Sequence, residues 1–193
     1  FGNKTITTGE GGMILFRDKK KYELGKILRD HGMSREKKYW HEIVGFNYRL
    51  TNLQAAVGVA QMERFEEIIL GKRKIFNFYN KNLSNLEGIT KMPLDSEEFY
   101  NSSWLYTLIL DSKINRNKLI SDLNQLGIEL RPTFCSLSEM PPYKDYKKSL
   151  NLENSKLLSK NGISLPSSPS LNKIQLKFIV QSFTKVLKDH LKN

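Results

Sequence analysis

Phe1-Gly2-Asn3-Lys4-Thr5-Ile6-Thr7-Thr8-Gly9-Glu10-Gly11-Gly12-Met13 opens the chain, and the reading of Lys4 in this run decides which fold the rest is taken to serve. Small and hydroxyl-bearing residues flank the lysine. Glycines at 9, 11 and 12 let the main chain adopt conformations that other residues resist and approach another group closely. Met13-Ile14-Leu15-Phe16, a continuous apolar run leaving the glycines, predicts a short buried strand. Two readings fit: a reactive amine held against a bulky cofactor, or a hairpin turn beside a solvated lysine. The run is neither a P-loop nor a dinucleotide fingerprint, because the Gly-Lys-Ser/Thr and Gly-x-Gly-x-x-Gly spacings are missing.

Working outward, Lys19 to Asp30 has helix-forming composition with Tyr22, Leu24, Ile27 and Leu28 as its apolar members, and Gly32 stops it. Tyr39 to Leu50 is an aromatic-rich connection without periodicity, and its length points to function. Thr51 or Asn52 caps a helix in which Leu53, Ala56, Val57 and Ala60 recur at helical spacing. That pattern runs on through Met62, Phe65 and Ile69 to Phe76 and Tyr79, with Gly71 as a possible break. Asn80 to Asn101, with Gly88 and Pro93, marks a hinge between domains at 1–80 and 81–193. A strand at Trp104–Leu110, a helix at Asn115–Leu126 and a strand at Ile128–Phe134 then suggest a βαβ-like, compact α/β lobe. Residues 135–170 read as loop punctuated by Pro141-Pro142 and Leu165-Pro166-Ser167-Ser168-Pro169. Ile174, Phe178, Phe183, Val186, Leu187 and Leu191 predict a closing amphipathic helix.

With 39% hydrophobic and 26% charged residues among 193, the chain has an ordinary soluble composition and enough apolar content for a core. Thirty-one Lys+Arg against 20 Asp+Glu give +11, which invites a nucleic-acid reading. Yet the cations are scattered as Lys19-Lys20-Lys21, Lys37-Lys38, Lys72-Arg73-Lys74 and Lys147-Lys148, without a basic tail, a zinc-finger motif or an RNP motif. Anionic small-molecule substrates or a solvated lysine-rich surface account for the charge better than nucleic acid does. The single Cys135 excludes an intrachain disulfide and fits a reducing, cytoplasmic compartment. Without a base beside it, Cys135 reads as a partly buried structural thiol. No apolar stretch is long enough to span a bilayer and no signal peptide is present, while the absence of an initiator Met suggests part of a longer protein.

Three segments, the Lys4 run, Gly45-Phe46-Asn47-Tyr48-Arg49-Leu50-Thr51-Asn52-Leu53-Gln54-Ala55-Ala56 and Gly162-Ile163-Ser164-Leu165-Pro166-Ser167, together resemble the DegT/StrS family of nucleotide-sugar aminotransferases, in that family's order and across nearly the whole chain. The resemblance implies an aspartate-aminotransferase-like α/β fold (type I PLP transferase), with residues 1–80 as the end of the large domain plus an interdomain helix and 81–193 as the small C-terminal domain. It implies pyridoxal 5'-phosphate as cofactor and a homodimer with a shared active site. Phe1-Gly2-Asn3-Lys4 and Tyr39-Trp40-His41 look most like the branch that aminates the C4 keto group of a GDP-linked 4-keto-6-deoxy sugar, with an amino acid, glutamate, as donor.

Under the resemblance, Lys4 is the lysine that bonds the cofactor aldehyde and later moves a proton. Asn47, Tyr48 and Arg49 fall in the segment that in this family reaches across the dimer toward the cofactor phosphate or the substrate of the neighbouring subunit, an amide and a guanidinium being suited to phosphate oxygens. Arg49 has an alternative as the ion-pair partner of a carboxylate at a helix start. His31 and His41 are candidates for sugar hydroxyls, and Arg131 for an anionic part of the substrate. The segment from Arg131 departs from the family pattern at Ser138, where a histidine is usual. The dehydrating relatives carry histidine in place of the lysine, so Lys4 argues against dehydration. None of the family's N-terminal portion, which supplies the acidic partner of the pyridine nitrogen, the residue stacking on the ring and most phosphate donors, stands before Phe1, so this chain alone is expected to be inactive. A catalytically inactive truncated paralogue or a regulatory binding module is the alternative.

Overall fold

A computed structural model describes residues 1–92, 95–146 and 151–192, so Pro93 and the Lys147-Lys148 pair lie outside the described residues. The chain divides into two compact units, Phe1–Phe65 and Glu66–Asn193.

In the first unit, Asp18 starts helix α1 (Lys19–Arg29) by accepting the Lys21 N–H at 3.0 Å. Lys26 and Arg29 in its last turn oppose the negative end of the helix dipole. His31 and Gly32 both have positive φ, 60° and 70°, and Gly32 N–H closes back onto the Ile27 carbonyl at 2.9 Å, so the chain reverses sharply where the helix stops. Helix α2 (Asn52–Glu63) opens with a capping box, Thr51 serving the Gln54 N–H and the Gln54 side chain serving Thr51. The strand expected at Met13–Phe16 does not form. Met13, Ile14 and Leu15 are largely exposed, and no neighbouring strand takes their backbone groups. Of this unit's residues only Gly32 is buried.

The long helical pattern breaks at Arg64, the C-cap of α2, and resumes as α3 (Phe65–Asn82). Gly71, the break expected from sequence, sits inside α3 and faces Pro169. The second unit is built on a four-stranded sheet of β1 (Ile89–Lys91), β2 (Tyr106–Leu110), β3 (Arg131–Pro132) and β4 (Gly162–Leu165) in the order β1-β2-β4-β3. Every neighbouring pair is antiparallel, in the register Ile89↔Leu110, Tyr106↔Leu165 and Arg131↔Ser164. Thus β2 and β3 run the same way, joined through α4 (Arg116–Gln125), with β4 inserted between them. The strand expected over Ile128–Phe134 shrinks to two residues because it lies at the sheet edge and Pro132 has no N–H for a ladder. Residues 135–170, expected as loop, contain α5 (Glu153–Asn161) and β4.

The core of this unit follows its periodicities. Tyr106, Leu108 and Leu110 alternate along β2, and Leu176, Ile179, Phe183 and Leu187 form the inward stripe of α6 (Lys173–Lys192). Helix α3 adds Ile75, Phe76 and Tyr79, and α4 adds Leu119 and Leu123. Polar ties fix α3 to the sheet: Lys72 Nζ donates to the Trp104 and Ser167 carbonyls, both at 2.9 Å, and Tyr79 Oη donates to the Pro166 carbonyl at 2.8 Å. Burial lowers the Lys72 pKa and raises that of Tyr79, while Tyr106, also by burial, is pushed up to about 12.

Candidate active site

The last carbonyls of a helix lack intrahelical partners, and α1 recruits the 41–49 segment to satisfy them. Phe46 N–H donates to Leu28 O at 2.7 Å, Tyr48 N–H to Arg29 O at 2.9 Å, and His31 N–H to Phe46 O at 2.9 Å. This pairing needs the two strands of backbone almost in contact, and the glycines supply the room. A Cβ on Gly45 would fall 2.1 Å from Gly32 N, and one on Gly32 would fall 1.9 Å from Ile43 O. Side chains cannot occupy either position.

The arrangement brings five of the sequence-expected site residues together. His31, His41, Asn47, Tyr48 and Arg49 all lie on the paired segments around the C-terminus of α1, with bridges Asp30↔Asn47 and Met33↔His41. A carbonyl can only accept, so the 2.9 Å contact between His41 Nδ1 and His31 O makes Nδ1 the protonated nitrogen and leaves Nε2 an acceptor in the neutral ring. Tyr48 stacks on Phe46, ring centroids 5.1 Å apart. Arg49 meets a carboxylate, as its alternative reading expected, but at the end of α1 and not at a helix start: Nε lies 3.4 Å from Asp30 Oδ1. That oxygen is buried without a hydrogen bond, so the contact is an ion pair lacking hydrogen-bond geometry.

Lys4 stands on a separate turn, its N–H donating to Phe1 O at 3.1 Å and its side chain exposed. The following residues are moored along α2. Thr7 N–H donates to Gln61 Oε1 at 3.3 Å, and Gln54 Nε2 donates to Glu10 O at 3.0 Å. Since Asn47-Tyr48-Arg49 leads directly into the Thr51 cap of the same helix, α2 is the common support of the lysine turn and the amide-guanidinium segment. Cβ atoms built on Gly2, Gly9 or Gly12 would meet nothing within 4 Å, so the turn presents an open face. By donor chemistry, a primary amine suits the aldehyde end of pyridoxal phosphate, and an amide and a guanidinium suit its phosphate end. Arg131 is elsewhere, on β3 of the second unit, with Nε 3.4 Å from Glu129 Oε1. Among the described residues, no group of three or more His, Cys, Asp or Glu could hold a metal ion, and no helix is long and apolar enough to cross a membrane.

A feature that the sequence did not reveal lies in the second unit. A cavity of ≈ 640 Å³ opens between β2, the segment after β3 and α5. Cys135 lines it and is exposed, correcting the expectation of a partly buried thiol. Ser136 and Ser138 are visible as a spaced pair, but Ser155 belongs to a helix read as loop, so nothing in the sequence joined the three.

The sequence pattern of the DegT/DnrJ/EryC1/StrS aminotransferase family matches residues 1–184. GDP-perosamine synthase of Escherichia coli O157:H7 is 37% identical over 190 residues, covering 98% of this chain and 50% of that protein. The Vibrio cholerae GDP-perosamine synthase is 39% identical over 181 residues, covering 93% and 49%. Among solved structures, the aminotransferase TlmJ from Streptoalloteichus hindustanus superimposes with a TM-score of 0.85 at 22% identity, over 96% of this chain and 50% of that one. Helicobacter pylori PseC, an aminotransferase involved in the biosynthesis of pseudoaminic acid, gives 0.84 at 23% identity, over 96% and 51%. The fold is therefore that of the sugar aminotransferases, the type I PLP transferase fold, and the chain spans about half the length of the curated relatives it matches.

Proposed function

This chain belongs to the DegT/DnrJ/EryC1/StrS aminotransferase family, and on that premise we propose that it is the C-terminal portion of a pyridoxal-phosphate-dependent sugar aminotransferase. The reaction moves an amino group from glutamate to the C4 keto group of a nucleotide-linked 4-keto-6-deoxy sugar, giving the 4-amino sugar and 2-oxoglutarate. One observation carries the reading: Lys4 sits on an open glycine-flanked turn moored to α2, within a chain that matches GDP-perosamine synthases at 37–39% identity.

When bound, pyridoxal phosphate supplies the electron sink that lets a proton leave and return at a carbon bearing nitrogen. The chain's own residues do the rest. Lys4 Nζ would hold the cofactor by its aldehyde, and as a free amine it would be the base that carries the proton between the donor carbon and the cofactor carbon. Lysine alone combines a nucleophilic amine with that reach. Asn47 and Arg49 reach across the dimer to the phosphate of the neighbouring subunit's cofactor, the guanidinium through parallel N–H bonds that a lysine could not reproduce. Tyr48, His31 and His41 orient the sugar, with His41 Nε2 accepting a hydrogen bond from a hydroxyl. Arg131 takes an anionic part of the substrate. In this reading residues 1–80 end the large domain and residues 81–193 form the small one.

The exposed apolar residues of the first unit support a homodimer with a shared site. Leu53 is 82% exposed and Val59 59%, on a helix with no buried residue at all. Exposed apolar side chains on a helix without a buried face call for another surface to cover them. We place the enzyme in the cytoplasm, where the lone Cys135 thiol stays reduced.

The test is to incubate the full-length, cofactor-loaded protein with glutamate and GDP-4-keto-6-deoxymannose and to follow product mass and 2-oxoglutarate. Equal amounts of amino sugar and 2-oxoglutarate are expected. Conversion of UDP-linked sugars alone would overturn the GDP branch, and absence of any amino transfer would favour the inactive paralogue.

A further inference from the structure

Asp30 breaks a local rule of helix ends. The carbonyls that close α1 give its C-terminus a partial negative charge, which cations offset and an anion opposes. Lys26 and Arg29 in the last turn follow the rule, whereas Asp30, the C-cap itself, sets a carboxylate against it. Burial adds to the cost. Asp30 Oδ1 is buried without a hydrogen bond, so the charged oxygen has given up water without gaining a donor. A carboxylate that weakens the end of its own helix calls for a compensating role, since breaches of local rules collect at functional sites.

The partner it gains is Arg49. The Asp30↔Asn47 bridge fixes the backbone leading to Arg49 beside the carboxylate, and Arg49 Nε lies 3.4 Å from Oδ1. No hydrogen bond from either Nη is found among the described residues, and the Arg49 side chain is 54% exposed. A guanidinium is planar and rigid, so attraction at Nε turns the fork of the two Nη groups away from the carboxylate. That fork is the part that can meet two oxygens of one anion. Because the ion pair lacks hydrogen-bond geometry, the arginine is oriented yet can adjust when an anion arrives.

We propose that Asp30 is a positioning residue, which holds Arg49 with its Nη pair presented to the cofactor phosphate and itself touches neither cofactor nor substrate. The inference rests on the reading of Arg49 as a phosphate ligand given above.

The probe is spectroscopic titration of the full-length apoprotein with pyridoxal phosphate and, separately, with pyridoxal, which has the aldehyde and lacks the phosphate. Asp30→Asn keeps the size of the side chain and removes its charge. Pyridoxal phosphate affinity should fall roughly three- to fivefold, the upper end of what a half-exposed ion pair contributes, while pyridoxal affinity stays unchanged. The melting temperature of the apoprotein should hold or rise, because the helix end loses its opposing charge. A carboxylate with a merely structural role would instead lower the melting temperature and weaken both ligands together, and that result would overturn the proposal. In an Arg49→Ala background, Asp30→Asn should cost no further pyridoxal phosphate affinity, and a full additive loss would overturn the coupling. If Arg49→Ala binds pyridoxal phosphate as the parent does, the phosphate role of Arg49 fails and this proposal with it. If Arg49→Ala loses affinity and Asp30→Asn does not, Arg49 stands as a ligand and Asp30 alone is removed.

Discussion

The two units solve the problem of holding a chain in place by different means. Glu66–Asn193 buries aromatic and aliphatic side chains from α3, β2, β4, α4 and α6 in one continuous core. Phe1–Phe65 buries only Gly32, and its order comes from caps and backbone pairing around the end of α1 and the start of α2. A unit without a core leaves its apolar residues for another surface to cover, and in this chain that unit carries Lys4, the proposed cofactor anchor.

Core truncation should break this contrast most visibly. Phe183→Ala, at a fully buried position, should cost about 3–5 kcal/mol in urea unfolding of the chain, whereas a like change in the first unit has no core to damage. Loss of under about 1 kcal/mol would mean that the second unit is not the stable one.

Alkaline titration sharpens the same point. Buried Tyr106 donates its Oη to Asn80 Oδ1 at 2.7 Å, and its folded pKa of about 12 exceeds the ordinary value of 10.0. A raised folded pKa gives stability that is fully present below pH 10 and is lost as pH rises through about 12, in total about 2–3 kcal/mol. Melting temperatures measured across that window should fall, and Tyr106→Phe should flatten the fall.

Gly45→Ala tests the first unit on its own terms. The added Cβ collides with the Gly32 backbone, so the paired segments must separate at a cost of about 1–3 kcal/mol. Hydrogen exchange should show the Phe46 and Tyr48 amides losing protection while the sheet of the second unit keeps its own. Leu53→Glu should have the smallest effect on this chain's folding, under about 0.5 kcal/mol, because the side chain is already exposed. In the full-length protein it should dissociate the proposed dimer, read by sedimentation. An unchanged dimer would mean that α2 is covered otherwise.

Where the sequence was legible, the signal was local. Thr51 announces a helix start, and the spacing of Phe183 and Leu187 announces α6. Where it failed, the deciding partner was distant. Met13–Phe16 has the composition of a strand but no strand beside it, and β4 is a strand because β2, more than 50 residues earlier, accepts it in register. The α2 helix ends at Arg64 because the chain turns there, a choice that the apolar pattern running through Phe65 conceals. At the site, the residues of 45–52 were recognisable as a motif, but their mutual arrangement depends on the contact of Gly32 with Gly45 across α1's end. The cavity was illegible because its three serines come from elements that only the fold brings together.

The central claim, that Lys4 of the coreless unit anchors the cofactor, is tested by reducing the full-length, pyridoxal-phosphate-loaded protein with borohydride and mapping the labelled peptide. The pyridoxyl group should be found on Lys4, and Lys4→Ala should carry no label and lose the visible absorbance band of the bound cofactor. A label on another lysine, or a band that survives in Lys4→Ala, would contradict the account.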